Sequence, residues 1–184
     1  MSSWLLHKLR EGGTKRVTAR WLDRLFAAAR PSFSQRDGTR SDFGIVLPAQ
    51  RPSNEAESII WLVDQVPELG PLLEEHVTFN EELLAYVLFE GDFLGWFVER
   101  VRAGDYEPAA RFVAAIEPLM TTEVEPAADD RVWNLTAVCF VEGMVMQGTW
   151  DDVIETARPW MGRNTSRDVD RQFRYRSGEL PPTA

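Results

Sequence analysis

Apolar side chains recur at helical spacing along most of the chain beyond residue 52. Asn54 can cap a helix, and Glu57 follows it three residues later, as in a capping box. The apolar series from Ile59 to Val66 comes next and is ended by Pro67, which cannot continue a helix. The pattern therefore predicts a helix between Asn54 and Pro67.

A second start signal, Thr78-Phe-Asn-Glu81, precedes a longer apolar series from Leu83 to Val101. Gly104 is placed to end this helix as a C-terminal cap. The tripeptide Glu90-Gly91-Asp92 interrupts the series, and because glycine is unfavourable inside a helix, we expect a kink or a break there.

The rest of the chain predicts further helices. One begins near Asp105 and carries Pro108 in its first turn, where a missing N–H costs little. Apolar residues nearly all round the segment from Trp133 to Val145 predict a central helix. The remaining helices run from Thr149 to Gly162 and from about Thr165 to Tyr175. The fold class is therefore predicted to be all-α.

Two parts of the chain resemble each other. Phe97-Val-Glu99 and Phe140-Val-Glu142 are 43 residues apart, and each is followed by a glycine, Gly104 or Gly148. This offset is typical of a HEAT-like or armadillo-like helical pair, which buries its apolar face by stacking on a neighbour. The similarity predicts stacked antiparallel helical hairpins. Chance likeness between two amphipathic helix pairs is the alternative.

Charge is distributed very unevenly along the sequence. Residues 1–51 have a net charge of +6, residues 52–157 of −18 and residues 158–184 of +3, so the total of −9 hides a strongly acidic centre. Phosphate backbones and anionic membranes are bound by cationic surfaces, which disfavours both as partners of this centre. It indicates a basic protein partner instead, unless the acidic surface serves only solubility.

The first charge boundary and the end of the last predicted helix divide the chain into an extension (1–51), an acidic α-helical domain (52–176) and a flexible tail (177–184). In the extension, five apolar residues recur at helical spacing with three arginines on other faces, and residues 31–51 have the composition of a linker. The apolar set is Val17, Trp21, Leu22, Leu25 and Phe26, and the arginines are Arg16, Arg20 and Arg24. This segment could bind nucleic acid, a membrane surface or an acidic groove, fold back on the acidic domain, or lie upstream of the native start.

Few residues suggest covalent chemistry. The single Cys139 excludes an intrachain disulfide, fits a reducing cytosol and lies in an apolar run, which predicts a buried, unreactive thiol. No stretch approaches the ~20 apolar residues of a membrane span, and no signal-peptide cleavage pattern is present. We therefore expect a cytoplasmic protein.

Ionisable residues offer no recognisable catalytic, metal or cofactor site. His76 follows Glu74-Glu75, but no second histidine or cysteine is spaced to complete a zinc site, so a partly exposed surface histidine is predicted. Neither a phosphate-binding glycine loop nor a nucleophile elbow is present. Glu117 and Glu142 lie within apolar runs, so each is either an exposed helix position or a semi-buried acid that needs an arginine or backbone partner.

Acidic residues of one loop and of two helix starts are the candidate partner contacts. At the helix starts they are expected to act first as caps, because negative charge is favoured there. The set is Glu123, Glu125, Asp129, Asp130, Asp151 and Asp152.

A spaced pattern over residues 60–145 resembles a family of small, functionally uncharacterised bacterial helical proteins. It comprises Val66-Pro-Glu-Leu69, Glu75-His76, Asn80-Glu-Glu-Leu-Leu84, Phe89, Phe93 to Val101, Gly104-Asp105, Ile116-Glu117 and Val138-Cys-Phe-Val-Glu142. The resemblance implies an all-α fold similar to immunity proteins, which neutralise a toxin by binding it. It also marks Glu75, His76, Glu117 and Glu142 as polar positions to inspect.

Together these features predict a non-enzymatic protein-binding module without cofactors that binds a basic protein through an acidic helical surface. The resemblance implies an immunity-like inhibitor. The alternative is a regulatory protein whose Arg-rich N-terminal segment binds nucleic acid or an acidic partner.

Overall fold

A computed structural model describes residues 51–120 and 130–179, and every regular element in these residues is helical. The all-α prediction is confirmed. The first four helices are α1 (Glu55–Gln65), α2 (Gly70–Asn80), α3 (three segments, Ala85–Val87, Leu88–Phe93 and Leu94–Arg102) and α4 (Tyr106–Met120). The others are α5 (Arg131–Thr136, Ala137–Glu142 and Gly143–Met146), α6 (Asp151–Ala157) and α7 (Arg163–Arg176).

Helix α1 begins as its sequence predicts. The Asn54 side chain accepts a hydrogen bond of 2.9 Å from the Glu57 backbone N–H. The Glu57 carboxylate in turn accepts one of 2.8 Å from the backbone N–H of Ser53. Val66 and Pro67 then lead through a short 3₁₀ turn into α2, and the apolar face of α1 packs on α4.

The start predicted at Thr78 is wrong. Thr78 lies in the last turn of α2, where its hydroxyl donates to the carbonyl of Glu74, and the helix continues to Asn80. Glu81 then adopts a left-handed conformation with φ of 61°, which ends α2. The next helix begins only at Ala85, because the Thr78–Glu81 sequence pattern cannot distinguish a helix start from a helix end.

Helices α3 and α5 each contain a six-residue π-helical segment, and these two segments pack against each other. In α3 the segment Leu88–Phe93 includes Gly91, so the disturbance expected at Glu90-Gly91-Asp92 takes the form of a π segment within a continuous helix. The helices are in close contact at Gly143, where an added Cβ would lie 3.0 Å from Cδ2 of Leu94.

The centre of the core is the aromatic ring of Phe112 on α4. Its centroid lies 5.7–6.5 Å from the rings of five other aromatic residues. These are Phe89, Phe93, Trp96, Phe97 and Phe140. Helix α4 contacts α1, α3, α5 and α7, so it is the element around which the other helices are arranged.

Gly104 ends α3 in a left-handed conformation with φ of 76°. The N–H of Asp105 donates to Arg100 and that of Gly104 to Val101, which is a Schellman motif and confirms the predicted cap. Gly162 has a different role from the one expected. Helix α6 has already ended at Ala157, and Gly162 is instead the N-cap of α7.

Some predictions fall on residues outside the described ranges. The amphipathic segment around Val17–Phe26, the linker before Arg51 and three predicted contacts in the loop between α4 and α5 are among them. Those three are Glu123, Glu125 and Asp129.

Candidate functional site

Glu117 is a structural carboxylate that joins α4 to α7. Its oxygens accept hydrogen bonds from the backbone N–H groups of Asn164 (2.8 Å) and Thr165 (3.0 Å), and from the buried Thr165 hydroxyl (2.7 Å). These N–H groups belong to the first turn of α7, which has no capping side chain of its own because Gly162 occupies the N-cap. Glu117 therefore caps a helix that is distant in sequence.

Gly162 permits this cap by lacking a side chain. A Cβ on Gly162 would lie 2.3 Å from Cδ of Glu117 and 2.6 Å from its Oε2, so no other residue fits without displacing the carboxylate. The backbone of Gly162 is extended, with φ of −72° and ψ of −179°, a conformation open to any residue. The requirement for glycine is thus steric. We name Glu117, Gly162, Asn164 and Thr165 the α4–α7 junction.

Glu142 and Glu75 have the opposite environment. Both side chains are exposed, and neither forms an ion pair with a described residue. Of the two acids that lie in apolar runs, Glu117 is therefore the semi-buried one with backbone partners, and Glu142 is a surface position.

The acids at the start of α6 are paired with arginines of the same chain. Asp151 forms a two-pronged pair with Arg176, with both N–O distances 2.8 Å, and Arg176 also donates to the Val145 carbonyl. The Arg102 guanidinium lies 3.3 Å from an oxygen of Asp152. The hydrogen bond from Arg176 lowers the pKa of Asp151, and the one from Arg102 lowers the pKa of Asp152.

Asp130 also forms a helix cap and an ion pair within the fold. It caps α5 by accepting from the Trp133 N–H at 2.9 Å, and it pairs with Arg51 at 2.8 Å. Arg51 donates in addition to the Leu119 carbonyl near the end of α4. Partial burial acts to raise the pKa of Asp130, but the hydrogen bonds from Arg51 and Trp133 outweigh it, so the pKa is lowered. The expected capping role of Asp130 is confirmed.

His76 is buried, so the prediction of a partly exposed histidine is wrong. Its Nε2 accepts a hydrogen bond of 3.3 Å from the Leu84 N–H, and its Nδ1 lies 3.3 Å from Oδ2 of Asp92. The Asn80 side chain donates to the His76 carbonyl. His76 thus holds the turn between α2 and α3 against the start of α3.

This turn belongs to a surface where acidic and apolar side chains are exposed together. Phe79 is 86% exposed and Val87 58% exposed, which is unusual for large apolar residues. We define the acidic-apolar surface as the exposed side chains of Glu75, Phe79, Glu81, Glu82, Leu84, Tyr86, Val87 and Glu90. No lysine or arginine occurs between residues 52 and 99, so no cation within that stretch offsets these carboxylates.

An open groove of about 500 Å³ adjoins this surface between the start of α1 and the start of α3. It is lined by Glu55, Ala56 and the stretch from Leu83 to Val87. Partial burial and the Glu55 carboxylate raise the pKa of the Tyr86 hydroxyl. The groove therefore combines apolar walls with the carboxylate of Glu55, which lies 3.9 Å from the Arg131 guanidinium.

The described residues contain little that could perform covalent chemistry. Cys139 is fully buried, as predicted, and burial followed by the Glu90 charge raises its pKa to about 12, so the thiolate nucleophile does not form near neutral pH. Within residues 51–120 and 130–179 no cluster of three metal-ligating side chains occurs. Nor does any helix there combine the length and apolarity needed to cross a bilayer.

The sequence pattern did not single out the acidic-apolar surface. Val87 belongs to the apolar series that begins at Leu83, and Phe79 to the Thr78–Glu81 start pattern, whereas in the structure both side chains are exposed on either side of the left-handed residue Glu81. The absence of lysine and arginine from residues 52–99 was the available signal. No local signal links Glu117 to Gly162.

A family model described as "Domain of unknown function (DUF7674)" matches residues 59–175. No curated protein and no solved structure matches the chain significantly. The matched range includes α6 and α7, so it reaches beyond residue 145, where the resemblance in the sequence ended. It covers more than half of the chain, and the chain therefore belongs to this family of proteins of unknown function.

Proposed function

We propose that this protein is a non-enzymatic binding module whose acidic-apolar surface docks a basic protein. The observation that carries the proposal is the exposure of Phe79 and Val87 beside carboxylates that have no cation partner among the described residues. Interfaces are anchored by such aromatic and aliphatic side chains, and surrounding charges select the partner and speed its approach.

The acids that the sequence suggested as contacts support this choice by contrast. Asp130, Asp151 and Asp152 each form an ion pair inside the fold, so binding a partner cation would compete with Arg51, Arg176 or Arg102. The carboxylates of Glu81, Glu82 and Glu90 face no such competition from described residues. A basic partner therefore gains more at the acidic-apolar surface.

The surface is also held in place before binding. His76 fixes the turn that carries Glu81 and Glu82 through the Leu84 N–H. The π segment of α3, packed on that of α5, fixes the helix that carries Tyr86 and Val87. A surface ordered in advance loses less conformational entropy on association, which favours affinity.

Two finer features belong to the same proposal. We propose that the helices stack as antiparallel hairpins related by about 43 residues, which would present one continuous convex or concave face to a partner. We propose further that the partner is a basic toxin, with this protein acting as a cytoplasmic inhibitor of the immunity kind. The acidic surface supports this proposal because its charge is opposite to that of a basic toxin.

Affinity capture with paired charge variants tests the function. Three tagged proteins are used to capture proteins from the source organism at low and high salt. They are the wild type, the double variant Glu82→Gln/Glu90→Gln and the double variant Asp152→Asn/Glu155→Gln. Both double variants remove two negative charges, but only the first alters the acidic-apolar surface. We expect a basic protein that is captured at low salt by wild type and by the second variant, and lost with the first.

The proposal would be contradicted if both variants captured the partner equally well. It would also be contradicted if the captured proteins did not differ between the two variants. The alternative, nucleic-acid binding by the Arg-rich segment before Arg51, is tested on the same preparations. In an electrophoretic shift assay it requires a salt-sensitive complex that Arg20→Glu/Arg24→Glu abolishes.

A further inference from the structure

Four arginines form a row along α7, on the side opposite its buried residues. They recur every three or four residues, so at about 100° per residue they fall within an arc of about 80° over a length of about 16 Å. We name them the arginine stripe, which consists of Arg163, Arg167, Arg171 and Arg174. The proposed function gives this surface no role.

The arginine stripe is only weakly neutralised within the chain. The N–O distances from Arg167 and Arg171 to Asp168 are 3.5 and 3.8 Å. Arg174 lies 3.7 Å from an oxygen of Glu179. A charge-assisted hydrogen bond is about 2.7–2.9 Å long, so these pairs are loose. The first arginine of the stripe is exposed and forms no ion pair with a residue in the described ranges. The stripe therefore retains cationic groups for a partner.

Aromatic side chains border the stripe. The Arg171 guanidinium lies 5.6 Å from the centroid of the half-buried Trp133 ring, and Tyr175 is exposed at the end of α7. Arginine and aromatic residues are enriched in protein–protein interfaces, because they combine polar groups with a large contact area. The net charge of −18 on residues 52–157 would repel a phosphate backbone, so these features favour a protein with an acidic surface.

The acidic-apolar surface of a second copy has the complementary charge. It exposes four carboxylates, as many as the stripe has arginines, beside Phe79 and Val87. The stripe lies on α7, which packs on α4 and α5, whereas the acidic-apolar surface lies on α2 and the first part of α3. None of the ion pairs among the described residues joins these two surfaces within one chain. Both are therefore available to another copy.

We propose that copies of this chain associate head to tail, with the arginine stripe of one copy on the acidic-apolar surface of the next. The stripe pairs with the surface carboxylates, and its aromatic border covers Phe79 and Val87. Because the contact joins two different surfaces, each copy in a pair keeps one of each kind for a further copy. Self-association does not require the basic partner of the proposed function, which would compete for the same surface.

Sedimentation velocity of the purified full-length protein, with reversal of charges on either surface, tests the contact. Three double variants are compared with the wild type. They are Arg163→Glu/Arg174→Glu in the stripe, Glu82→Arg/Glu90→Arg in the acidic-apolar surface and the control Glu99→Arg/Glu142→Arg at exposed positions outside both. The control reverses as many charges as the second variant does. Circular dichroism checks that every variant is folded.

We expect the wild type to sediment faster as its concentration rises at low salt, and to sediment as a monomer at high salt. The stripe variant and the acidic-surface variant should each associate at least about tenfold more weakly, and the control should stay within about twofold of the wild type. An equal mixture of the first two should regain association within about threefold of the wild type, because each reversed surface then meets one of opposite charge.

A wild type that stays monomeric at about 100 µM and low salt would overturn the proposal. So would a mixture that associates no better than its two components. Binding of RNA by a monomeric wild type, lost only in the stripe variant, would assign the stripe to a phosphate backbone instead. Capture of a basic partner by a monomeric protein would keep the proposed function and remove this contact, and self-association without a captured partner would do the reverse.

Discussion

The acidic-apolar surface and the α4–α7 junction use the same functional group in opposite ways. At the junction, both oxygens of Glu117 accept hydrogen bonds from the first turn of α7, and Gly162 leaves room for them. At the surface, Glu81, Glu82 and Glu90 are exposed and have no cation partner among the described residues. One carboxylate stabilises the fold, and the others are the ones to which the proposed function assigns partner binding.

The difference shows that net charge is a poor measure of the charge available for binding. Residues 52–157 carry a net charge of −18, but Glu117, Asp130, Asp151 and Asp152 are already satisfied within the fold. Substitutions in the two regions should therefore separate stability from binding.

Replacing Glu117 by alanine should have the largest effect on stability. The change removes three hydrogen bonds to a carboxylate and leaves the first turn of α7 without a cap, so we expect the free energy of unfolding to fall by about 2–3 kcal/mol. Urea denaturation measures this. Glu142→Ala is the matched control and should change it by less than about 0.5 kcal/mol. Equal losses would refute the contrast between the two glutamates.

Gly162→Ala should destabilise the protein by about 2 kcal/mol, because its Cβ would displace the Glu117 carboxylate. The two changes act on one contact, so their effects should not add. The double variant Glu117→Ala/Gly162→Ala is expected to be about as stable as Glu117→Ala alone. Full additivity in a double-mutant cycle would show that Gly162 matters for another reason.

His76→Phe tests how the acidic-apolar surface is supported, because it removes a buried hydrogen-bond acceptor beneath that surface. The Leu84 N–H loses its partner, so we expect a loss of about 1–2 kcal/mol in the free energy of unfolding. Hydrogen exchange at the Leu84 amide should accelerate far more than exchange in α4. Unchanged protection at Leu84 would exclude this supporting role.

A fall in pH should weaken the ion pairs that Asp130 and Asp151 form with arginines. The pKa values of Asp130 and Asp151 are lowered below 3.8 in the folded protein, so the stability from their pairs is complete above that pH and is lost as the pH falls through the lower folded values. We expect thermal stability to fall below about pH 4. Arg51→Ala should cost about 1 kcal/mol at pH 7 and make this fall less steep. An unchanged slope would show that the Arg51–Asp130 pair contributes nothing.

Local patterns were enough to predict the all-α class, the start of α1 and the cap at Gly104, because these depend on neighbouring residues. The end of α2 was predicted wrongly, since Thr78-Phe-Asn-Glu81 satisfies a start pattern while Glu81 adopts a left-handed conformation. His76, Glu117 and Gly162 have roles that depend on partners 8 to 48 residues away. Such contacts form only in the tertiary fold, so neither charge nor periodicity could reveal them.

The most direct test of the central claim is the affinity of the captured partner for two variants of equal net charge. Titration calorimetry at two salt concentrations compares wild type with Glu82→Gln/Glu90→Gln and with Asp152→Asn/Glu155→Gln. The account predicts that the first variant binds at least about tenfold more weakly with a smaller salt dependence, and that the second stays within about twofold of wild type. Equal weakening by both variants, or greater weakening by the second, would contradict it.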